Sequence, residues 1–387
     1  MKPLYFALLG AAMTAPAAAQ PVQFSAIADS EIGYGTNPFL VPGVTKGSVF
    51  ASASIQPRLF YQTALSTTAL QGKYSRETYF NGFGYTDSGS VGLVRTDQLS
   101  QYLATTLTAS YVTTNRDTIN DPEQVVVVDP LNIGRRTRTF AGAYQLQWQA
   151  SARDQLSYGA QISHLSYGSS QTAGIGAVPS SYTQYGANAG YNHVVDARTT
   201  VGGQISVNMN KSKIYPDSRT ISPALTGKRQ LSAAWEIDGH VGMTFSRIEG
   251  PFARSSSSLS LAANLCGTYP LWHMCLTVSR DTEPSGFGPL RTATAIGINV
   301  ARPIDEHSRV SLNARYSKNS AGKFETVGPQ PLGSAKVLLA SADYDRDITQ
   351  RVSAGFGGQY KSREFSATPM ARSYTATIHV KAKLGRM

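Results

Sequence analysis

Apolar and polar residues alternate along most of the chain, most clearly near its C-terminus. In residues 374–384 the even positions are Tyr, Ala, Ile, Val, Ala and Leu, whereas the odd positions are Thr, Thr, His, Lys and Lys. A β-strand points successive side chains to opposite faces, so this segment predicts a strand with one apolar and one polar face. The same period recurs in residues 103–111, 156–163, 201–210 and 310–317. The pattern predicts an all-β chain.

The polar face of these strands separates two classes of β protein. It carries mostly Ser, Thr, Gln, Asn and Gly, whereas the solvent face of a soluble β-sandwich or β-solenoid is usually rich in Lys and Glu. Small uncharged groups suit a confined aqueous interior, and an apolar outer face suits lipid. Several segments also exceed the mean of about 5–6 residues for strands of soluble proteins. We therefore predict a transmembrane antiparallel up-and-down β-barrel.

The connections between alternating segments fall into a short and a long class. Short turns containing Asp are predicted at 95–100, 153–157, 196–199, 238–239, 305–308 and 347–350, and longer connections at 36–47, 81–86, 115–134, 168–181, 216–227 and 319–334. Short periplasmic turns and long extracellular loops are typical of outer-membrane barrels. We predict about eighteen strands, with sixteen as the alternative, at residues 24–35, 48–62, 66–79, 88–95, 100–114, 135–150, 156–168, 182–195, 199–213, 228–237, 240–249, 256–268, 273–283, 290–302, 308–318, 335–346, 351–365 and 372–385.

Aromatic residues occur near both ends of the predicted strands, where the two membrane interfaces would lie. This placement predicts two aromatic belts. Their members are Tyr61, Trp148, Trp235 and Trp272 at the turn ends, and Tyr34, Tyr79 and Tyr111 at the loop ends.

The N-terminus has the order of regions expected of a secretory signal peptide. Lys2 precedes an apolar run, and Ala17-Ala18-Ala19 supplies small residues for cleavage. We predict a cleaved signal peptide at 1–19 and a single barrel domain at 20–387, rather than a buried N-terminal helix. No mature segment has the roughly 18 apolar residues of a spanning helix. The predicted location is the outer membrane of a Gram-negative cell, in contact with outer-membrane lipid.

The charge of the exported chain is positive. Removing Lys2 leaves 34 basic residues against 24 acidic ones, a net charge of +10. Outside the cytoplasm, we expect this charge to meet anionic glycan or lipid and not nucleic acid.

The two cysteines lie on either side of a predicted turn. Cys266 and Cys275 flank Tyr269-Pro270-Leu271-Trp272, and alternation places both on the inward face. Pairing Thr268 with His273 brings the two cysteines opposite each other, where Cβ atoms lie about 4.5–5.5 Å apart, slightly beyond the usual disulfide range. We predict a structural disulfide over free thiols. A metal site would require more ligands than this segment supplies.

The sequence contains no enzyme motif that completes a recognisable site. Gly174-Ile175-Gly176 lies in a predicted loop and does not complete a dinucleotide fingerprint, and the six histidines lack metal-ligand spacing. Asn192-His193 is the only pair reminiscent of a barrel hydrolase, but alternation turns His193 toward lipid. We predict a non-enzymatic protein without cofactor or metal.

Charged residues mark the predicted inward face near the point where the barrel would close. A lumen rich in Lys and Arg favours anionic solutes; alternatively, these charges only pair with one another and stiffen the wall. Both interpretations stay open at this stage. The predicted pore-lining basic residues are Arg58, Lys73, Arg309, Arg315, Lys361, Arg363, His379, Lys381 and Lys383, and the acidic ones are Asp29, Glu31, Glu77, Asp343 and Asp345.

Short motifs suggest a family. The first predicted strand reads Ala-Asp-Ser-Glu-Ile-Gly-Tyr-Gly at 28–35 and runs into Thr-Asn-Pro-Phe at 36–39, and Asp-Gln-Leu-Ser recurs at 97–100 and 154–157. Together they resemble the outer-membrane β-barrel porins that are often encoded beside exopolysaccharide genes in alphaproteobacteria. The resemblance implies passage or export of polysaccharide, with polysaccharide export components as partners. The end at 385–387 (Gly-Arg-Met) lacks the aromatic residue that the barrel-assembly machinery reads in many barrels, so assembly would rely on the preceding alternating strand.

These observations predict a porin-like channel. A water-filled lumen would pass polar, anionic solutes or exopolysaccharide. The alternatives are a plugged structural or adhesive barrel, whose loops bind outside, and an outer-membrane barrel hydrolase.

Overall fold

The computed structural model describes residues 22–40, 43–81, 83–115, 136–168, 181–250, 253–285, 288–320, 334–365 and 368–385. The predicted signal peptide at 1–19 lies outside the described residues. No helix long and apolar enough to cross a membrane occurs in these ranges. The strands are β1 (Gln23–Thr36), β2 (Gly47–Gln62), β3 (Ser66–Tyr79), β4 (Tyr85–Ser100), β5 (Leu103–Thr114), β6 (Thr137–Gln149), β7 (Asp154–Tyr167), β8 (Tyr182–Asp196), β9 (Thr199–Ser212), β10 (Ser218–Gln230), β11 (Trp235–Ile248), β12 (Arg254–Tyr269), β13 (Trp272–Ser285), β14 (Gly288–Pro303), β15 (Ser308–Asn319), β16 (Ala335–Asp347), β17 (Val352–Phe365) and β18 (Thr368–Gly385).

These eighteen strands form one closed antiparallel sheet. Each strand pairs with its neighbours in sequence, and β18 returns to pair with β1 from Ser25↔Gly385 to Gly35↔Thr375. Closure leaves no strand of the sheet without a neighbour on either side, which is the condition for a β structure to lie in lipid. The predicted fold class, an all-β antiparallel up-and-down barrel of eighteen strands, is confirmed.

Side chains alternate between an apolar outer wall and a polar inner wall. On β11, Val241 and Phe245 point outward and are exposed, whereas Thr244 points inward and is only 2% exposed. Its hydroxyl pairs with that of Ser222 on β10 at 2.9 Å. Because the large apolar side chains lie on the outer surface and not in a central core, lipid is the environment that can cover them.

Two arginines on β10 bracket the apolar part of the outer wall. Arg219 and Arg229 lie on the outward face, with Ile221 and Leu225 between them, and Leu225 is 70% exposed. Ten residues of strand span about 33 Å, and a tilt of roughly 40° reduces this to about 25 Å along the barrel axis. That height matches the apolar band of outer-membrane barrels, about 25 Å.

The two ends of the barrel differ in the length of their connections. At one end the connections are short, as between Ser100 and Leu103 or between Pro303 and Ser308; at the other they include 37–46. The turn after β14 is closed by Asp305, which accepts a hydrogen bond from the backbone N–H of His307 at 2.8 Å. This bond lowers the pKa of the Asp305 carboxyl from its usual value. The short-turn end is the periplasmic end.

The hairpin β10–β11 differs from the sequence prediction. The strand predicted at 228–237 and the long loop predicted at 216–227 are wrong, whereas the strand predicted at 240–249 is present but begins earlier, at Trp235. The chain forms β10 across most of that loop and turns at 231–234 before β11. The strand count stays at eighteen because two strands still form here, with the turn between them at 231–234 and not at 238–239.

Local composition explains this error. Pro223 and the nearby glycine resemble a loop, and the ladder between β10 and β11 does skip Pro223 because proline has no N–H to donate. Asp238 and Gly239 resemble a turn but lie within β11. Asp238 points inward and accepts a hydrogen bond from Asn264 Nδ2 at 2.9 Å. Asp238 therefore pairs with the neighbouring strand β12 on the lumen side of the wall.

The fourth strand is longer than predicted. The sequence predicted a strand at 88–95 and a turn at 95–100, but β4 continues through that turn to Ser100. Asp97 lies on the strand, where its carboxylate accepts a hydrogen bond from Arg95 Nε at 2.9 Å. The turn itself falls at 101–102.

The corrected hairpin predicts opposite environments for two adjacent residues of β10. In reconstituted vesicles, a spin label at Leu225→Cys should collide more often with oxygen, which concentrates in lipid, because Leu225 faces outward. A label at Thr226→Cys should collide more often with a water-soluble nickel chelate. If residues 216–227 formed a loop instead, both labels would favour the nickel chelate.

Candidate functional site

The inward face of β15–β18 carries a charge cluster centred on one carboxylate. Asp345 on β16 accepts hydrogen bonds from His379 Nε2 and Lys381 Nζ, both at 2.9 Å, and its other oxygen lies 3.5 Å from Arg309 Nε. Asp345 is buried, whereas Arg309 reaches the lumen. Three of the predicted basic residues therefore share one acidic partner.

Further carboxylates adjoin this cluster where the barrel closes. Asp29 lies opposite Lys381 in the β1–β18 register, and Glu31 lies opposite His379. Glu31 also accepts a hydrogen bond from Ser52 Oγ at 3.4 Å. Asp343, two residues before the central carboxylate, is close enough to interact with the same bases. In this sector the charges pair and hold neighbouring strands together.

Two predicted basic residues are buried at the extracellular end. Arg363 and Lys361 on β17 face inward, as alternation predicts, but are 1% and 5% exposed. Arg363 Nη2 donates hydrogen bonds to the backbone oxygens of Leu40, at 2.6 Å, and Phe39, at 3.4 Å. Arg363 is therefore an anchor for a connection and not an open part of the pore wall.

The anchored connection joins β1 to β2 and folds into the mouth of the barrel. Leu40 is 1% exposed and packs with Val337 and Ala371. Asn37 and Leu40 have φ angles of 43° and 51°, in the left-handed region that turns the chain sharply. The sequence predicted this connection but not its inward course.

An aromatic cluster supports the same connection. Tyr79 was predicted in the loop-end belt, but this prediction is wrong: the side chain faces inward and is buried. Its hydroxyl donates a hydrogen bond to Glu77 Oε1 at 2.5 Å. Its ring lies 5.4 Å from that of Phe39, 5.6 Å from Phe50 and 6.1 Å from Phe83, measured between ring centroids. Glu77 is thus enclosed and does not line open lumen.

A cavity of about 900 Å³ lies along the inner wall of β1–β6 and β18. Arg58, Lys73 and Lys383 line it, and none of the three forms an ion pair with another described residue. Lys73 is close enough to Asp29 for their charges to interact, and Arg58 lies 5.8 Å from the ring of Phe60. The remaining lining is uncharged and mixes apolar residues with polar ones, and the polar ones include Gln56, Gln71, Ser90, Ser110 and Thr139.

A second charged group lies on β13 and β14. Glu283 is opposite Arg291 in the register, and Arg315 on β15 is close enough to interact with Glu283. Of these, only Arg315 was predicted from the sequence. Glu283 shares the inward parity of Cys275, so the alternation of β13 contains the signal that would have found it.

The two cysteines form a disulfide near the periplasmic end. Cys266 and Cys275 are directly opposed, with Cα atoms 4.1 Å apart. His273 Nε2 lies 3.4 Å from Cys275 Sγ, and its Nδ1 lies 2.9 Å from Thr268 Oγ1. Across the part of the chain that the structure describes, no three His, Cys, Asp or Glu residues are grouped to hold a metal ion.

His193 faces outward at the periplasmic end of β8. Its Nδ1 lies 2.8 Å from Asp154 Oδ1, which also accepts a hydrogen bond from the Tyr191 hydroxyl at 2.6 Å. Ser151 Oγ donates to the other oxygen of Asp154, at 2.5 Å. The serine therefore contacts the carboxylate and not the imidazole, which differs from the serine–histidine contact of a hydrolase.

The fold is similar to solved outer-membrane barrels. No protein-family model and no curated protein matches the sequence. The FrpB iron transporter from Neisseria meningitidis (F5-1 variant) is 9% identical with a TM-score of 0.51, over 94% of this chain and 82% of that one. The outer membrane protein opdK and OccK2 (OpdF), both from Pseudomonas aeruginosa, are 10% and 11% identical, with TM-scores of 0.46 and 0.47; they cover 94% of this chain and 99% and 98% of theirs. The chain has the fold of an outer-membrane β-barrel.

The central position of Asp345 predicts a loss of stability when its charge is removed. Asp345→Asn should lower the free energy of unfolding by about 2 kcal/mol, because three basic groups lose one buried partner while Lys381 and Arg309 can still reach water. Urea unfolding in vesicles would measure the change. The matched control is Asp347→Asn, on the same strand but exposed, and equal losses in both variants would contradict the assignment.

Proposed function

We propose that the barrel is an outer-membrane channel that passes polar, anionic solutes or exopolysaccharide through a water-filled lumen. The closed wall, the apolar outer face and the polar inner face support a channel. An eighteen-stranded barrel is wide enough to enclose an aqueous path.

The observation that carries the anionic preference is the trio of basic side chains along the lumen cavity. Arg58, Lys73 and Lys383 have no ion-pair partner among the described residues. A unit charge attracts an anion at ~8 Å by about 0.5 kcal/mol even at the dielectric constant of water. Three such charges together give about 1.5 kcal/mol, or roughly tenfold enrichment of anions over a neutral wall.

The lining also suits a glycan. Amide side chains such as Gln56 and Gln71, and hydroxyls such as Ser90, can exchange hydrogen bonds with sugar hydroxyls in place of water. The basic trio would pair with carboxylate groups on an acidic polysaccharide. Polysaccharide export components would then be the partners that deliver the chain to the periplasmic end.

Neutralising the trio should reduce anion selectivity. The variant Arg58→Gln, Lys73→Gln, Lys383→Gln should lower the ratio of anion to cation permeability several-fold, as measured by the reversal potential of planar bilayers in a salt gradient. The matched control replaces three outward-facing arginines, Arg229, Arg302 and Arg346, with Gln. An unchanged reversal potential in the trio variant, or the same shift in the control, would reject the assignment.

A plugged barrel is the second candidate, and the anchored connection at 37–40 favours it. Arg363→Met should release this segment because it removes both hydrogen bonds to the backbone oxygens. We expect channels of larger or noisier conductance, with Arg351→Met in a periplasmic turn as the control. A wild-type barrel without conductance that opens only in Arg363→Met would establish the plugged alternative.

A further inference from the structure

The ladder between β12 and β13 is incomplete. The two strands pair from the periplasmic turn up to Leu261↔Arg280. Above that point residues 254–260 pair only with β11, and residues 281–283 and Ser285 pair only with β14. The described parts of the two strands therefore separate in the extracellular half of the barrel wall.

A proline and bridging side chains mark the separated parts of the two strands. Pro284 lies in the separated part of β13 and has no N–H to contribute to a ladder. Side chains bridge the strands in place of the backbone: Ser258 Oγ lies 2.7 Å from Thr282 Oγ1, and Ser260 Oγ donates to Asp281 Oδ1 at 2.5 Å. Unpaired backbone groups facing lipid cost several kcal/mol each, so this gap favours a polar occupant.

The gap contains a cavity of about 550 Å³, which we call the lateral cleft. Its lining comes from both faces of the wall. Ser257, Arg280 and Thr282 have the outward parity of Leu259 and Val278, whereas Arg254 and Ser258 have the inward parity of the lumen residues. The lateral cleft thus reaches from the lipid-facing side toward the lumen.

The lateral cleft is basic and rich in hydroxyl groups. Its charged lining residues are all cations, and among the described residues Arg280 and Lys318 are exposed without an ion-pair partner. Met243 and Leu259 form its apolar lower border. Its hydroxyl groups include those of Ser256, Ser257, Thr292 and Ser320.

We propose that the lateral cleft binds the phosphate-bearing head group of an amphiphile from the outer leaflet of the membrane. Several cations and hydroxyl donors suit a group that presents three or four acceptor oxygens and carries more than one negative charge. The acyl chains of the amphiphile would lie against Met243 and Leu259 on the outer wall. This site is separate from the lumen cavity and does not depend on conduction.

The disulfide limits the cleft. Cys266–Cys275 joins the same two strands below the last paired residues, Leu261 and Arg280. A covalent link at that level prevents the separation from extending to the periplasmic turn, so β12 and β13 can part above it while the lower wall stays closed.

Binding of phosphatidic acid to the full mature chain tests the proposal. Native mass spectrometry from detergent micelles gives the dissociation constant, with phosphatidylcholine of the same acyl chains as the comparison lipid. Arg280→Gln with Lys318→Gln should raise the dissociation constant of phosphatidic acid at least tenfold. Arg280→Lys with Lys318→Arg, which keeps both charges, should retain affinity within about threefold and shows that the site is intact.

The matched control is Arg219→Gln with Arg247→Gln, two outward-facing arginines opposite each other at the same end of the barrel. It should change the affinity less than twofold. If the control weakened binding as much as the cleft variant does, the site would be overturned, because the attraction would then be spread over the rim of the barrel. An unchanged affinity in the Arg280→Gln, Lys318→Gln variant would also overturn it. Glycerol phosphate, which has the head group but no acyl chain, should not displace the lipid at equal concentration. Displacement would overturn the assignment to a lipid.

Discussion

The whole structure depends on pairing backbone N–H and C=O groups where no water can reach them. In lipid each unpaired group costs several kcal/mol, so a sheet must close on itself. The contact between β1 and β18 performs that closure, and every other strand follows its neighbour in sequence. The separated ends of β12 and β13 are a departure from this rule, and hydroxyl and basic side chains gather there.

Closure also determines which charges meet inside the lumen. It brings Asp29 and Glu31 of the first strand against Lys381 and His379 of the last, residues some 350 positions apart in the sequence. Charges in that sector satisfy one another through Asp345. The basic residues on the adjoining β2 and β3 form no ion pair with another described residue, although Asp29 is close enough to interact with Lys73, so basic side chains outnumber acidic ones along the cavity. Pairing therefore accounts for the charges of one sector, and the proposed anion path concerns the other.

The sequence was most informative where a feature depends on local periodicity. Strand identity and inward or outward direction follow from a period of two, because lipid and water lie on opposite sides of a single layer of sheet. The pairing of the two cysteines also follows from register within one hairpin. The same reasoning failed at β10, where Pro223 interrupts the ladder without ending the strand, and at Asp238, whose partner Asn264 lies on the next strand.

Features formed by distant contacts could not be predicted. Alternation predicted the inward direction of Arg363 but not its burial. The burial results from the connection between β1 and β2, which folds over the mouth and brings the backbone oxygens of residues 39 and 40 to Arg363. The inward direction of Tyr79 could have been read from its spacing of two residues from Glu77, but its burial results from the distant rings of Phe39 and Phe50. The cleft depends on where a ladder stops, and local composition does not specify this.

Single-channel recording of the purified wild-type barrel in a planar bilayer tests the central claim most directly. With a salt gradient across the membrane, a closed barrel with an aqueous, basic lumen should give discrete current steps. Their reversal potential should have the same sign as the equilibrium potential of the anion. A folded, inserted protein that gives no current steps, or steps that reverse at the cation potential, would contradict the account.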